Sequence, residues 1–552
     1  MKSINSKLLQ EMLISGANNL YNHYPEIDAL NVFPVPDGDT GMNMNLTMAS
    51  GAKEVQNRND TDVHQIAVAF SKGLLMGARG NSGVITSQIF RGFAQVLEGY
   101  KTINATLLAE AFSNGSKVAY KAVMRPVEGT ILTVIRESSA SLKNYVKDDT
   151  DIIVAFKYLL SEAKASLKHT PELLPVLKEV GVVDSGGAGL VKIFEGMLSA
   201  LNGKFIAKKE ISRSQTDNSA QQLMESDEFG YCTEFILRLD PENKKPFIES
   251  RFKSVLANHG NSLVVVRDDD IVKVHVHTLT PGAVLTYGQS FGEFIKLKIE
   301  NMTEQHTSLQ ENKAAQEAQQ EATEEDLHKE PSKEVSMVAV AAGKGVEQAF
   351  IELGVESIIT GGQTMNPSIN DIVKAIKETD AKTVYVFPNN SNIVMAALQA
   401  KDVLHDEIEV VVVQSKTIPQ GVAAVSQFSP DLSVNENLAN MKEVIAHIST
   451  GEVTYAVKDT TMNGVNIKKN DFMAIANKKV ICCESKPERA LLKMLKKMIR
   501  DDSYLATIFV GEAVTNKVLE QLKKDLPEQY PNVEFDIRRG DQPVYNYLVG
   551  IE

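Results

Sequence analysis

Cysteine is scarce in this chain: three in 552 residues, Cys232 and the adjacent Cys482 and Cys483. That is no disulfide framework, and it fits a reducing compartment. Long apolar runs are missing as well, so nothing in the sequence reads as a membrane span. The first twenty residues, MKSINSKLLQEMLISGANNL, carry an amphipathic helical pattern with neither a signal-peptide core nor a small-residue cleavage site. Positive charge is in deficit: 58 Lys and Arg face 71 Asp and Glu, for a net charge of −13. No basic run with interleaved aromatics is present, which excludes nucleic acid as a main partner. A cytoplasmic protein with at most indirect membrane contact is expected.

What is present divides into three blocks and two linkers, since 552 residues exceed a single core and suggest about three or four domains. Residues 1–210 repeat apolar positions at helical spacing, as in Lys7–Leu20, Val63–Leu75, Asn81–Leu97, Thr106–Val123, Thr130–Val146 and Thr150–Leu167. Comparable helices with short motifs in their connections favour an antiparallel helical barrel or bundle. Residues 211–227 read as a polar linker. Residues 228–302 form a small α/β middle domain with strand patterns at Tyr231–Leu239, Ser262–Arg267 and Ile271–His277. Residues 303–334 are rich in Glu, Gln, Ala and Lys and cannot bury enough surface to fold alone, so a flexible tether is expected. Residues 335–552 alternate strands and helices, the pattern of an α/β domain with a largely parallel sheet; the strands beyond Val480 either form a second sheet or extend the first.

The most informative segment is Asn31–Gly41, Asn-Val-Phe-Pro-Val-Pro-Asp-Gly-Asp-Thr-Gly, followed by Met42 and Asn43. Asp37 and Asp39, held close by a glycine and stiffened by Pro34 and Pro36, repel each other unless a cation lies between them. Mg²⁺ accepts paired carboxylates plus water and phosphate oxygens. The plain alternative is a turn, because Asp-Gly is a common turn sequence. Three further small-residue loops open helices in the same block: Gly80-Asn81-Ser82-Gly83, Gly129-Thr130 after Arg125-Pro126-Val127-Glu128, and Asp184-Ser185-Gly186-Gly187. A helix N-terminus behind glycines offers amide hydrogens to phosphate, although each glycine alone also fits tight packing or capping. No Lys-Ser/Thr follows Gly83, so this is no Walker loop.

Asp37-Gly38-Asp39-Thr40-Gly41-Met42-Asn43, Gly80-Asn81-Ser82-Gly83 and Asp184-Ser185-Gly186-Gly187-Ala188 resemble the nucleotide motifs of the dihydroxyacetone kinase L-subunit family, and the longer Asn31–Gly41 string resembles the ATP-binding subunit of bacterial fatty acid kinase. The resemblance extends through the middle and final blocks. It implies an eight-helix antiparallel barrel holding ATP through two Mg²⁺ ions, and a separate fatty-acid-binding protein that presents the acyl carboxylate for conversion to acyl phosphate for phospholipid synthesis. Carried over, Asp37 and Asp39 ligate Mg²⁺ as the catalytic pair. Thr40, Gly41, Met42 and Asn43 meet the triphosphate, Gly80, Asn81 and Ser82 face phosphate, Gly129 and Thr130 belong to the fourth loop, and Asp184, Ser185 and Gly186 line the nucleotide. A third acidic metal ligand of that family falls on Val32 here, leaving Asn31 or Asp28 to replace it. A homodimer is a further expectation from the resemblance.

In the middle block, alternation along Ile271-Val-Lys-Val-His-Val-His277 puts His275 and His277 on one face and Val272, Val274 and Val276 on the other. With Cys232 from another strand they make a three-ligand Zn²⁺ site with one open position; a hydrogen-bonded histidine pair is the alternative, and the resemblance favours zinc. Whether that zinc is structural or joins phosphoryl transfer stays open. In the final block, Thr360–Ser368 leaves a strand and caps a helix, where α/β sheets bind ligands. It is similar to the lipid-head-group loop of the family's fatty-acid-binding partners, and a docking platform for that partner is expected here, while Asn389, Asn390, Ser391, Arg538 and Arg539 read equally as caps and surface charges. Two other functions remain: a small-ketose kinase subunit, or a nucleotide-sensing scaffold without catalysis.

Overall fold

The computed structural model describes residues 1–31, 38–209, 231–240, 247, 249–257, 261–268, 270–278, 280–301, 331–362, 366–477 and 479–552. The chain forms two compact units, Met1–Ser212 together with Pro331–Glu552, and Arg213–Glu330.

The N-terminal half of the first unit is helical: α1 Ser6–Tyr21, α2 Tyr24–Asp28, α3 Thr40–Gln56, α4 Val63–Gly77, α5 Gly80–Val96, α6 Ala105–Ala122, α7 Ile131–Tyr145, α8 Ile152–Leu173, α9 Pro175–Val180 and α10 Ser185–Leu201. Eight are long and two, α2 and α9, are short corners. Each long helix packs on its neighbour in the chain and α10 returns to α1, so the eight close into a ring. Asn5, Asp62, Asn104, Asp151 and Asp184 start their helices by accepting a backbone N–H one turn in, the role for which short polar acceptors are favoured. Phe70, Phe90, Phe93, Phe112, Phe156 and Phe194 fill the interior in tilted and edge-to-face contacts. Gly115 lets α6 approach α5 closely: a Cβ there would lie 2.5 Å from the Ile89 carbonyl oxygen.

The C-terminal half of this unit is α/β. Its first sheet comes from β5 Lys333–Ala341, β6 Ser357–Thr360, β7 Ala381–Phe387 and β8 Glu409–Val412, in the order β6-β5-β7-β8 and parallel throughout. Helices α13 Lys344–Glu352, α14 Ile369–Glu378, α15 Val394–Val403, α16 Ile418–Val425 and α17 Val434–His447 accompany it. The strands beyond form a second sheet, settling the choice left open by the sequence. It is mixed, in the order β13-β12-β9-β16-β14-β15, and only β14 Leu505–Val510 and β15 Glu534–Arg539 run parallel. Its other strands are β9 Ser449–Tyr455, β12 Phe472–Ala476, β13 Lys479–Glu484 and β16 Tyr545–Ile551; a small hairpin, β10 Thr460–Met462 and β11 Val465–Ile467, and the helices α18 Pro487–Met498 and α19 Asn516–Gln529 complete the domain.

The two halves share a core. Ala78 and Val84, flanking the start of α5, belong to the same buried cluster as Val338, Val340, Ile369, Ile372 and Ile393 of the parallel sheet and its helices. Beside it, the buried Gln88 amide donates to Gln399 at 2.9 Å.

The second unit is described by itself: an antiparallel sheet in the order β2-β3-β1-β4, from β1 Tyr231–Leu239, β2 Asn261–Asp268, β3 Ile271–Thr278 and β4 Gly292–Asn301, with α11 Glu249–Ala257 and α12 Pro281–Gln289. Val272, Val274 and Val276 are buried with Phe235, Leu237 and Phe252, which is the face that period-two alternation assigns to the core.

Candidate nucleotide site

The corner between α2 and α3 carries the Asp-Gly-Asp motif. Val32–Asp37 lie outside the described residues, so the pair is seen through Asp39 alone. Asp39 is the N-cap of α3 without capping it through its side chain; its carbonyl accepts from Asn43 at 2.8 Å. The cap comes instead from Asp28, whose Oδ1 accepts the amides of Gly41 at 2.6 Å and Met42 at 3.3 Å. Asp28, one of the two replacements considered for the third metal ligand, thus spends one oxygen on the helix start. Gly41 makes this corner possible, because a Cβ would fall 2.3 Å from the Tyr24 carbonyl. Asn31, the other replacement, offers its carbonyl to Lys458 Nζ at 2.8 Å; burial holds that ammonium below its usual pKa.

At the start of α5, Gly80 takes φ +57°, and a Cβ there would stand 2.6 Å from Asn43 Nδ2. Both facts call for glycine. Arg79, just before it, donates to the carbonyl of Asn366 at 2.8 Å and pairs with Asp371 at 3.5 Å. Asn81 points toward α15, its Nδ2 3.4 Å from the Ser391 carbonyl and 3.3 Å from Asn392 Oδ1.

The α6–α7 connection is stiffened from within. Thr133 donates to Glu128 at 2.6 Å and accepts from the Gly129 amide at 2.8 Å; that hydroxyl, with Arg136 and Tyr120, holds the Glu128 carboxyl below the usual carboxylate range. Gly129 has φ +82°, and Thr130 donates to the Val127 carbonyl at 2.7 Å. Asp184 caps α10, accepting from Gly187 at 2.7 Å and also from the first amide of α7, Ile131. Desolvation outweighs those two amides and pushes its carboxyl up to about 6.

These four segments meet around one cavity of about 320 Å³. Of the residues expected to bind nucleotide or metal, Asp39, Thr40, Asn43, Asn81, Ser82, Thr130, Asp184, Ser185 and Gly186 line it. Gly41, Met42, Gly80 and Gly129 do not; the three glycines act behind the wall, by permitting the approaches and the backbone turns just described. Sequence reasoning missed Asn392 and Met395, which the α/β half adds to the wall. A signal was available, since the Asn-Asn-Ser-Asn run at 389–392 follows a parallel strand at its carboxyl end, where such sheets hold ligands. Two oxygens at this junction, Asn81 Oδ1 and Asn366 Oδ1, are buried without a hydrogen-bond partner, and Asn366 Nδ2 donates to Asp39 Oδ2. The Asp39 carboxylate, the unsatisfied Asn81 oxygen and a helix N-terminus around the cavity fit a hydrated divalent cation carrying phosphate.

Sequence models of known families cover the chain in three stretches: the DAK2 domain over residues 34–199, and the middle and C-terminal domains of FakA-like fatty acid kinase proteins over 228–309 and 336–552. Protein YloV of Bacillus subtilis is 46% identical over 564 residues, covering 100% of both chains. The chain belongs to the FakA-like fatty acid kinase family. Partial overlays with solved structures include the following two. The dihydroxyacetone kinase of C. freundii in complex with AMP-PNP and Mg²⁺ gives a TM-score of 0.29 at 19% identity, over 36% of this chain and 35% of that one. A fatty-acid-binding DegV family protein from Thermus thermophilus gives 0.31 at 12% identity, over 40% and 99%.

Membership gives the chain a kinase-type helical half, and among the described residues no helix is long and apolar enough to cross a membrane. In the middle domain shared by this family, Cys232 stands opposite His277 in the β1–β3 register and His275 is two positions along; the side chains of all three lie outside the described residues. Among the described residues no group of three His, Cys, Asp or Glu is placed to hold a metal. In the C-terminal domain, Asn389 ties the parallel sheet together, donating to the Val340 carbonyl at 2.9 Å and accepting from Ser415 at 2.7 Å. Arg538 pairs with Asp536 and Glu352, and Arg539 donates to the carbonyls of Gly511 and Val514. These residues hold the domain together.

Proposed function

We propose that the chain is the ATP-binding component of a fatty acid kinase, transferring the γ-phosphoryl group of ATP to the carboxylate of a fatty acid presented by a separate fatty-acid-binding protein. The observation that carries this reading is the cavity in which the four helix-opening loops of the kinase half converge, in a chain whose middle and C-terminal domains belong to the same family. A fatty acid is ionised near neutral pH, so no general base is needed. A carboxylate oxygen forms the new bond to the γ-phosphorus, the bond to the β–γ bridging oxygen breaks, and ADP leaves with that electron pair; acyl phosphate is the product. Repulsion between the two anions is the obstacle, so positioning and charge neutralisation supply the catalysis.

Asp37 and Asp39, with Asn31 or Asp28 beside them, would hold the Mg²⁺ that offsets the phosphate charge. Thr40, Asn43, Asn81 and Ser82 then orient the phosphates, and Thr130 and Asp184–Gly186 bound the nucleotide. The mouth of the cavity includes Arg125 and the exposed Val127, beside the exposed Met124: a cation next to apolar surface suits an acyl carboxylate delivered from outside. Zn²⁺ held by Cys232, His275 and His277 is a separate proposal for the middle domain, resting on the strand pairing that sets Cys232 opposite His277; zinc in the wild type and its loss in Cys232→Ala, by metal analysis, tests it.

The experiment for the main reading mixes the protein with Mg·ATP and either a fatty-acid-loaded binding protein or dihydroxyacetone with its binding subunit. Acyl phosphate is trapped by hydroxylamine, and Asp37→Ala serves as the control. Hydroxamate from the wild type alone is expected. Triose phosphate instead, or equal turnover by Asp37→Ala at saturating Mg·ATP, would refute the acceptor or the metal-ligand role respectively.

A further inference from the structure

The contact between Asp39 and Asn366 joins residues 327 positions apart in the chain. Asn366 belongs to the α/β half, in the segment between β6 and α14, and is 1% exposed. Its backbone is fixed against the helical half. The Asn366 carbonyl accepts from Arg79 at 2.8 Å, Ser368 bridges to Arg79 in antiparallel fashion, and the Ile369 amide donates to the Ala78 carbonyl at 3.2 Å. Asp371 holds the same arginine at 3.5 Å while accepting from the Ser368 amide at 2.7 Å. Apart from Asp39, the contacts to the helical half fall on Ala78 and Arg79, the two residues immediately before Gly80-Asn81-Ser82. The amide orientation of Asn366 follows from charge: its NH₂ must face the Asp39 carboxylate, which leaves Oδ1 buried and unpartnered.

We propose that Asn366 is a positioning residue of the nucleotide site: carried by the α/β domain, it fixes the Asp39 carboxylate for the magnesium-bound nucleotide, so that nucleotide loading depends on how that domain is seated. The unpartnered Oδ1 still lacks the donor, such as a water, that a buried amide oxygen requires. This rests on the nucleotide reading above and names a residue outside the loops that made it.

The test uses the full-length protein with ADP as probe, comparing wild type, Asn366→Ala and Asn366→Asp. Binding is followed by calorimetry over a Mg²⁺ titration, and melting temperature is measured without nucleotide. For Asn366→Ala the Mg²⁺ concentration giving half-maximal ADP binding should rise at least fivefold, while binding of ADP without Mg²⁺ stays as in the wild type; a purely structural residue would move both together. Asn366→Asp keeps the side chain's shape and sets a second carboxylate against Asp39. Its nucleotide-free melting temperature should fall, and added Mg²⁺ should raise it by several degrees more than in the wild type. An unshifted Mg²⁺ dependence in Asn366→Ala, or an equal Mg²⁺ response in Asn366→Asp where the alanine variant does not fold, overturns the proposal. A wild type that fails to bind Mg·ADP overturns the nucleotide reading itself.

Discussion

Asp184 carries the most quantitative expectation in the structure, because one carboxylate caps α10, accepts from the first amide of α7 and lines the cavity. Its carboxyl moves from 3.8 to about 6, desolvation being the cause. The sign follows from proton linkage. Between about pH 4 and 6 the folded chain retains a proton that the unfolded chain has released, so stability falls as pH rises through that window. Above it, ionised Asp184 costs the folded state about 3 kcal/mol, at ~1.4 kcal/mol per tenfold change. Asn caps a helix as well as Asp does and does not titrate. Asp184→Asn should therefore match the wild type near pH 4 and become more stable than it by up to about 3 kcal/mol near pH 7, with the difference growing between those values. Urea unfolding of both proteins, followed by far-ultraviolet circular dichroism across that range, gives the difference directly. A stability gap that stays constant with pH, or that widens toward acid, refutes the desolvated-carboxylate argument.

Three further substitutions test how the site is built. Gly41→Ala places a methyl 2.3 Å from the Tyr24 carbonyl and pushes α3 off the Asp28 cap; a loss of about 2–4 kcal/mol in urea unfolding is expected from overpacking and a lost cap together, and an unchanged midpoint would count against the corner as described. Thr133→Val keeps the shape but strips Glu128 of a donor and the Gly129 amide of an acceptor. The cost should be about 1–3 kcal/mol, and a smaller change than about 0.5 kcal/mol would show that the α6–α7 loop does not depend on it. Arg79→Met removes the only cation pairing Asp371 among the described residues and the donor to the Asn366 carbonyl; by hydrogen exchange, the Ile369 amide should open roughly tenfold more often, a change of ~1.4 kcal/mol, and unaltered exchange would show that the two halves do not need this latch.

The helical half was readable because its signals are local. Asn5, Asp62, Asn104, Asp151 and Asp184 mark helix starts within one turn, and apolar periodicity supplies the rest. The parallel sheet was equally legible, the strand Ser357–Thr360 and the helix Ile369–Glu378 falling in the strand–helix alternation expected of residues 335–552. The strands β9, β12 and β16 were not identified. β9 has intermediate Ser449 and Glu452 among buried neighbours, and β16, Tyr545–Ile551, is buried throughout, so neither shows clean alternation. A continuous apolar run cannot be told from a buried helix by period alone. The site divides in the same way. Motifs close in sequence named the polar lining residues of the helical half but not Ile85, Val123, Ile131 or Leu132, and Asn392 and Met395, like Asn366 behind Asp39, arrive by tertiary packing.

That packing has a specific chemical form, and it explains why the sequence hides it. The joint between the halves is made from Ala78 and Val84, from a Gln88–Gln399 amide pair 311 residues apart, and from Arg79 reaching backbone as well as Asp371. Small apolar residues and uncharged amides are ordinary on any helix, so none of them signals an interface. Yet a buried amide pair is costly to separate, since each partner would lose its hydrogen bond without regaining water unless the whole surface opens. Once docked, the α/β half is held in register with the segment 78–82, and that segment opens the helix whose first residues face the cavity. A shift of the α/β domain by the width of one hydrogen bond would therefore reach Asn81, Asn366 and Asp39 together. Under the function proposed above, such a joint would carry a displacement of the C-terminal domain to the segment 78–82 and so to the cavity wall.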